Sequence, residues 1–359
     1  MKRLVLSVLV VGVALVIAAP ADAATWQAWL GEPSQPPSSA AKGAELNQFF
    51  PRAIKVHTGD KIRYSTLAFH TVTYLGAANA GPPIMPDPSG AKYAGIKDAS
   101  NSSFWFEGLA KFIYNTQVFG PVGTPAVRPG GIHSAGVVAA SDSGPGNATL
   151  SFPNAGTYKL ICLLHPGMTQ TVTVKPKKAK VDTKIAVRTR IAKESTAAWA
   201  RSNAAAQTSV PPNTVFAGAD SGQTTLLAFL PATLTVKVGT TVNFVNMAPT
   251  EIHNEAFGPQ DWILPFMNAT DLLPLGPPGT PNQASPVLIY GSEPPNRYVY
   301  DGSNHGNGFL ATGLTDDQPG DPPNGLPQTR SVTFTKPGTY HYFCLIHGPD
   351  MSGDIVVTG

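Results

Sequence analysis

Hydrophobic and polar residues alternate with a period of two in several short segments, which is the pattern of half-buried β-strands. The clearest case surrounds the turn at residues 58–60, where Ile54 and Val56 precede the turn and Ile62 and Tyr64 follow it. This pattern predicts an antiparallel pair of strands joined by the turn. No long amphipathic helical pattern dominates the chain, so the fold class predicted is all-β.

The chain repeats its own pattern. Residues 230–244 match residues 50–64 at an offset of 180. Further along, Gly156-Thr157-Tyr158 and Gly338-Thr339-Tyr340 each lead into a cysteine followed by a histidine and a methionine. A repeat of this length predicts two similar domains in tandem. We place them at residues 24–175 and 209–359, with a linker at residues 176–208.

The composition is typical of an exported β protein, with 35 Gly, 35 Pro and 13% charged residues. Residues 1–23 have the pattern of a secretory signal peptide: Lys2 and Arg3, an apolar run, then a small-residue cleavage site at residues 21–23. We therefore expect the protein in the periplasm, in the cell envelope or outside the cell. A retained membrane anchor is the alternative, although the apolar run is short for a membrane span.

The chain has two cysteines, one in each repeat. In an oxidising compartment a Cys162–Cys344 disulfide is the plain alternative to a functional role. Each cysteine, however, is followed by a histidine three residues later and then by a methionine, and a disulfide needs neither. Thiolate, imidazole and thioether together form the ligand set of a mononuclear copper site with a weak axial sulfur.

A copper site of this kind needs a second imidazole. Each repeat carries one histidine at the head of a short predicted strand, His70 in the first and His253 in the second. A lone histidine in such a place is usually a surface residue. Its recurrence upstream of both Cys-His-Met loops favours the metal-ligand interpretation instead.

The order of these residues resembles the blue (type 1) copper proteins of the plastocyanin, amicyanin and azurin type, the cupredoxin family. The resemblance covers roughly residues 45–175 and 210–359. It implies a Greek-key β-sandwich in each half, one copper ion per domain and a one-electron Cu(I)/Cu(II) shuttle. The ligands that it implies are His70, Cys162, His165 and Met168 in the first domain and His253, Cys344, His347 and Met351 in the second.

The resemblance also implies two further properties of the site. Asn254 matches a residue that fixes the ligand loops in plastocyanin-like proteins, and Thr71 takes its place in the first repeat as a weaker substitute. The edges of His165 and His347 are expected near the surface, where electrons would leave.

The chain departs from the family pattern in two ways. Extra segments at about residues 76–130 and 258–304 are rich in Pro, Gly and aromatic residues, and long loops of this kind often bind partners. Met168 lies three residues after His165, but Met351 lies four after His347. A different axial geometry is therefore expected in the second site.

Two-domain copper oxidases and nitrite reductases resemble the chain in size, but they need another copper bound by histidines. Four histidines remain: His57 and His341, which the strand pattern puts on outer faces, and His133 and His305 at comparable places in the repeats. We therefore expect an electron carrier rather than an enzyme. Copper storage or delivery is the other alternative, although the six Met are mostly dispersed.

The predicted linker is basic at its start and Ala-rich at its end, with residues 194–206 favouring a helix. Its charge is usual for a solvated face, and the functional alternative is contact with an acidic redox partner or an anionic surface. The partners that we expect for an electron carrier are small redox proteins. Nothing in the sequence indicates nucleic-acid binding.

Overall fold

The computed structural model describes residues 23–78, 80–82, 87–268, 284–317 and 326–359. Within these ranges the chain is mostly β-strand, as the sequence predicts, and four large sheets form two face-to-face pairs. The predicted signal peptide lies outside the described residues, apart from its last position. Among the described helices none has the length and apolarity needed to cross a membrane.

The first β-sandwich holds one sheet of four strands and one of five. In hydrogen-bonded order the four strands are Gly146–Ser151, Lys61–Thr66, Thr25–Leu30 and Phe49–Phe50. The five strands are Ala53–His57, Thr169–Lys175, Gly156–Ile161, Phe69–Tyr74 and His133–Ala139. Alternate side chains of both sheets meet in one apolar core that includes Ile62, Tyr64, Leu160 and Val172.

The second β-sandwich has the same plan with one sheet of six strands and one of five. The six are Val299–Tyr300, Thr329–Phe334, Thr241–Asn246, Thr214–Ser221, Thr224–Leu230 and Ala44–Leu46. The five are Thr233–Lys237, Gly348–Thr358, Gly338–Cys344, Ala256–Phe257 and Leu310–Ala311. Phe244, Tyr342 and Ile355 lie in the core between them.

The antiparallel pair predicted around residues 58–60 is wrong. Ala53–His57 pairs with Thr169–Lys175 in one sheet, whereas Lys61–Thr66 pairs with two strands of the facing sheet. The turn therefore carries the chain across the core, from one sheet to the other. Asp60 fixes this crossing by accepting hydrogen bonds from the Trp26 indole and two backbone N–H groups. Alternation specified the buried faces correctly but not the partner strands.

The strand Ala44–Leu46 belongs to the first repeat but pairs with Thr224–Leu230 of the second sandwich. The helix Lys184–Ala205 is longer than the predicted helical part of the linker. Its residues Ile191 and Trp199 pack in the core of the first sandwich, while Ala205 packs with residues of the second. The linker is thus a packed element rather than a solvated spacer.

The smaller elements lie mostly in the two extra segments. They comprise the strand pairs Asp87–Lys92 with Ala110–Ile113 and Ile252–His253 with Thr315–Asp316, the helices Thr116–Phe119, Gln260–Asn268 and Pro286–Tyr290, and the 3-10 turn Asn304–Gly306. Residues 269–283 of the second segment are outside the described ranges.

The two extra segments pack against each other. Tyr93 donates to the carbonyl of Ala284, and Tyr290 donates to the carbonyl of Ala110. Around these contacts Phe104 joins residues of both repeats in a shared apolar cluster. The two halves are therefore not packed as fully separate units, because a third core joins them.

Candidate metal centres

The first predicted ligand group comes together at one end of the first sandwich. His70 lies on the strand Phe69–Tyr74, and Cys162 and His165 lie in the loop after the strand Gly156–Ile161. The two Nδ1 atoms of His70 and His165 are 2.9 Å apart, and Cys162 Sγ is 3.5 Å from His165 Nδ1. All three side chains are buried. One sulfur and two imidazole nitrogens therefore face one point.

The second group repeats this arrangement in the second sandwich. Cys344 Sγ lies 3.5 Å from Nδ1 of His347 and 3.9 Å from Nδ1 of His253. In each group the three ligand atoms lie within 4.8 Å of one another. Both cysteines are free thiols in separate groups, so the disulfide alternative does not hold in this structure.

Each predicted methionine belongs to the same apolar core as the cysteine of its group. Met168 and Cys162 belong to the core of the first sandwich, and the Cys162 N–H donates to the carbonyl of Met168 at 3.0 Å. Met351 and Cys344 belong to the core of the second. Both thioethers are buried, as expected of an apolar axial ligand.

A polar side chain next to each upstream histidine fixes the ligand loop. Asn254 Oδ1 accepts a hydrogen bond from the N–H of Leu345 at 2.8 Å, and Thr71 Oγ1 accepts one from Leu163 at 2.7 Å. Thr71 also donates to Cys162 Sγ from its N–H at 3.3 Å and its hydroxyl at 3.7 Å. The structure thus shows the loop contacts expected of both residues.

Both cysteines favour the thiolate form. Burial opposes ionisation of Cys162, but the charge of His165 and hydrogen bonds from His165 and His70 outweigh it, so the pKa lies well below its usual value. The pKa of Cys344 also lies well below its usual value, because the lowering effect of the His347 charge and of hydrogen bonds outweighs the raising effect of burial. A thiolate is the form of cysteine that binds metals.

The outer edges of His165 and His347 do not face solvent, which corrects the expectation that they lie at the surface. Nε2 of His165 lies 3.1 Å from Oε1 of Glu251, and Nε2 of His347 lies 3.5 Å from Oε2 of the same carboxylate. The side chains are 8%, 13% and 8% exposed for His165, His347 and Glu251, respectively. The two ligand groups therefore face each other across one glutamate.

Charge pairing shifts the pKa values at this contact. Burial favours neutral groups, but the Glu251 charge and the Cys162 thiolate outweigh it and raise the pKa of His165 well above its usual value. At His347 the charge of the Cys344 thiolate is the main effect that outweighs burial, so the pKa of His347 rises to about 10. Against burial, the charge of His165 lowers the pKa of Glu251 well below its usual value.

Further polar groups surround Glu251. A carboxylate oxygen of Glu45, a carboxylate oxygen of Glu251 and a ring nitrogen of His165 lie within 4.8 Å of one another. Burial and then the charge of Glu251 raise the pKa of Glu45. Asn47 donates to Oε1 of Glu251 at 2.9 Å and to the hydroxyl of Thr250 at 3.2 Å. The arm at residues 44–47 thus reaches the contact between the two groups.

Sequence reasoning missed Glu251 and Glu45. One signal was present for Glu251, since it stands two residues before His253 while Ala68 stands two residues before His70. Because only the second repeat has a carboxylate at this place, the ligand pattern that the two repeats share does not predict its role. Glu45 gave no such signal, because its role depends on the arm crossing to the other sandwich.

The four remaining histidines stand apart from the ligand groups. His341 is half-exposed and pairs with an aspartate on the outer face, as predicted. His57 is less exposed than predicted, because its Nε2 contacts the carbonyl of Ala179 at 2.8 Å. His133 bonds to two backbone groups of its own loop. His305 lies 3.0 Å from both Asp98 and Glu293, so it joins the two extra segments.

The solved structures to which this chain is similar include an amicyanin, a plastocyanin and an auracyanin. The Cu(I) form of an amicyanin mutant covers 43% of this chain and 89% of its own, with 22% identity and a TM-score of 0.22. A mutant fern plastocyanin covers 40% and 99%, with 22% identity and a TM-score of 0.21. Reduced auracyanin from the photosynthetic bacterium Roseiflexus castenholzii covers 41% and 95%, with 19% identity and a TM-score of 0.24.

No protein-family profile matches the sequence. No curated protein matches it either.

Proposed function

We propose that the protein is a copper-binding electron carrier with one mononuclear type 1 site in each half. The observation that carries the proposal is the pair of buried groups, each presenting one cysteine sulfur and two histidine Nδ1 atoms to one point. A thiolate with two imidazoles and a weak thioether is the donor set that suits copper in electron-transfer sites. The lowered pKa values of both cysteines fit this chemistry.

Copper held by these residues would alternate between Cu(I) and Cu(II) and so carry one electron. The protein's own part is to keep the donors fixed. The strand that carries His70 and the loop that carries Cys162 are joined through Thr71, and burial excludes water from both. A rigid, dry donor set opposes rearrangement when the charge changes, which favours fast outer-sphere transfer.

Three wider features belong to the proposal. The protein is exported through the signal peptide at residues 1–23, its partners are redox proteins, and it is not an oxidase or nitrite reductase. The last point is supported by His133 and His305, which are engaged in loop and segment contacts and lie in separate places. We expect no oxygen or nitrite turnover above that of free copper.

Copper counting with visible spectroscopy tests the proposal. The wild type should bind two copper ions per chain and show intense thiolate-to-copper bands that bleach on reduction. Cys162→Ser and Cys344→Ser should each bind one ion and keep the band of the other site. A Cu(II) protein without these bands, or the loss of both ions from either variant, would end this interpretation.

A further inference from the structure

A single side chain contacts a ligand histidine in each half of the molecule. Glu251 places one carboxylate oxygen 3.1 Å from Nε2 of His165 and the other 3.5 Å from Nε2 of His347. Each histidine turns its other nitrogen, Nδ1, towards the cysteine of its own group. Glu251 therefore closes a continuous line of contacts from Cys162 to Cys344.

The position of Glu251 is fixed from several sides. Asn47 donates to Oε1 at 2.9 Å, and Asn246 donates to the Glu251 carbonyl at 3.0 Å. The Glu251 N–H donates to the carbonyl of Ala248 at 3.0 Å. A buried side chain with these contacts has little freedom to leave the histidines, so the bridge is a built part of the fold.

This arrangement changes what the two sites can do. Electronic coupling falls less steeply through covalent and hydrogen bonds than across an open gap. Charges in a buried environment also interact more strongly than they do in water. The shared carboxylate therefore gives the sites both a path for electrons and a means of sensing each other's charge.

We propose that Glu251 joins the two copper sites into one coupled pair, and that a single electron passes between them through His165, the Glu251 carboxylate and His347. The proposal rests on the proposed function, because it needs copper in both groups. With copper held by both groups, one site would be oxidised from Cu(I) to Cu(II) while the other would be reduced from Cu(II) to Cu(I). No bond forms or breaks, and no outside reactant is consumed.

The internal transfer rate gives the first test. In a fully copper-loaded Met168→Leu background, loss of the weak donor raises the potential of the first site and drives the electron towards it. After pulse reduction, the redistribution between the two charge-transfer bands should proceed at a rate independent of protein concentration. We expect Glu251→Ala to slow this phase by about tenfold or more, which is about 1.4 kcal/mol in activation free energy.

Glu251→Gln and Asp354→Asn separate the effect of the bridge from the loss of one carboxylate charge. An amide has one acceptor oxygen and donates from its nitrogen, so only one histidine keeps an acceptor in Glu251→Gln. This variant keeps the side-chain volume and should also slow the transfer. Asp354→Asn removes a half-exposed carboxylate that pairs with His341 on the outer face, and it should leave the rate within about twofold of the parent. Equal slowing in both variants would contradict the proposal that Glu251 carries the electron between the sites.

Copper affinity gives a second test that does not depend on electron transfer. An ion in the first site fixes His165, and through it the Glu251 carboxylate that His347 also contacts. Competition titrations should therefore show that the second site binds Cu(I) about fivefold or more tighter in the wild type than in Cys162→Ser. Adding Glu251→Gln to both proteins should abolish this difference. A difference that persists would overturn the coupling.

The outcomes distinguish this inference from the proposed function. A wild type that fails to bind two coppers removes both. Two blue sites whose exchange rate is unaffected by either Glu251 variant would overturn the inference alone. A third metal ion bound by wild type and lost in Glu45→Gln would also overturn it, because Glu45, Glu251 and His165 would then hold a metal instead of an electron path.

Discussion

At the scale of single residues, the two ligand groups differ in the side chain that fixes each loop. Asn254 accepts from Leu345 in the second group, whereas Thr71 both accepts from Leu163 and donates to the Cys162 sulfur in the first. Hydrogen bonds to a ligand sulfur tune the potential of a copper site. The difference between Thr and Asn therefore gives each site its own means of adjustment.

Removing the Thr71 hydroxyl should affect the first site alone. In Thr71→Val the Leu163 N–H loses its acceptor, which should cost about 1–3 kcal/mol of unfolding free energy. The thiolate loses one donor, which favours Cu(II) and lowers the potential of the first site. Denaturant unfolding and spectroelectrochemistry measure the two effects, and Thr71→Ser is the control that keeps the hydroxyl. A shift at the second site would contradict this prediction.

Asp220 makes the stability of the protein depend on pH. It accepts from Thr250 at 2.9 Å, and burial is the main reason that its pKa rises from 3.8 to about 6. Because the folded-state pKa is the higher one, its stabilising contribution is complete below about pH 4 and is lost as the pH rises through 6. Ionising it in the folded state then costs on the order of 3 kcal/mol more than in the unfolded state.

Asp220→Asn should remove this dependence while keeping an acceptor for Thr250. The difference in unfolding free energy between variant and wild type should grow by about 2 kcal/mol in favour of the variant from pH 4 to pH 7. Denaturant titrations at several pH values, with the copper content held constant, measure it. A difference that stays constant across this range would show that Asp220 titrates normally.

At the scale of elements, one glycine in each sandwich leaves room for the upstream histidine. Gly31 follows the strand Thr25–Leu30 with φ +73°, and a Cβ there would lie 2.3 Å from Nε2 of His70. Gly218 has φ +71° at a bulge in the strand Thr214–Ser221, and its Cβ would lie 2.6 Å from Nε2 of His253. The strand geometry and the ligand position therefore depend on each other.

Gly31→Ala and Gly218→Ala should each impair one metal group. Backbone strain should cost about 1–3 kcal/mol in each case, and displacement of the histidine should lower copper affinity at that site only. Gly59→Ala and Gly239→Ala are matched controls, since both have φ +84° with nothing within 4 Å of the added Cβ. Copper titration of the four variants measures the effect. Equal affinity losses in the controls would assign it to backbone strain.

At the scale of the whole molecule, contacts between the described parts of the chain join the two sandwiches, and three larger elements contribute to them. The arm at residues 44–47, the helix Lys184–Ala205 and the cluster around Phe104 each contact both halves. Phe104 stacks on Phe106 at 5.0 Å and meets Phe309 edge-on at 6.1 Å. The face-to-face arrangement of the ligand groups depends on these shared contacts.

The two halves should therefore unfold together. We expect one transition in which the Cys162 and Cys344 thiols of the copper-free protein become reactive at the same denaturant concentration. Phe104→Ala should shift both thiols equally and cost about 3–5 kcal/mol, as expected for a large buried aromatic side chain. Thiol labelling read by mass spectrometry resolves the two sites. Separate midpoints would mean that the shared cluster does not couple the sandwiches.

The sequence by itself determined the all-β class, and it predicted the cysteine and two histidines that the structure brings together in each group. Alternation reports which side chains are buried, and a loop of few residues brings a cysteine close to the histidine three positions later whatever the rest of the chain does. The roles of Asn254 and Thr71 were expected from the family resemblance alone, and the contacts that bear them out join residues 91 and 92 positions apart.

Only the tertiary structure decided which strands pair and which way the ligand groups face. Ala53–His57 and Lys61–Thr66 are close in sequence yet lie in opposite sheets, since alternation does not specify a partner. The contact of Glu251 with Asn47 joins residues 204 positions apart. Such contacts depend on how two finished sandwiches pack, and no local pattern in a sequence records that.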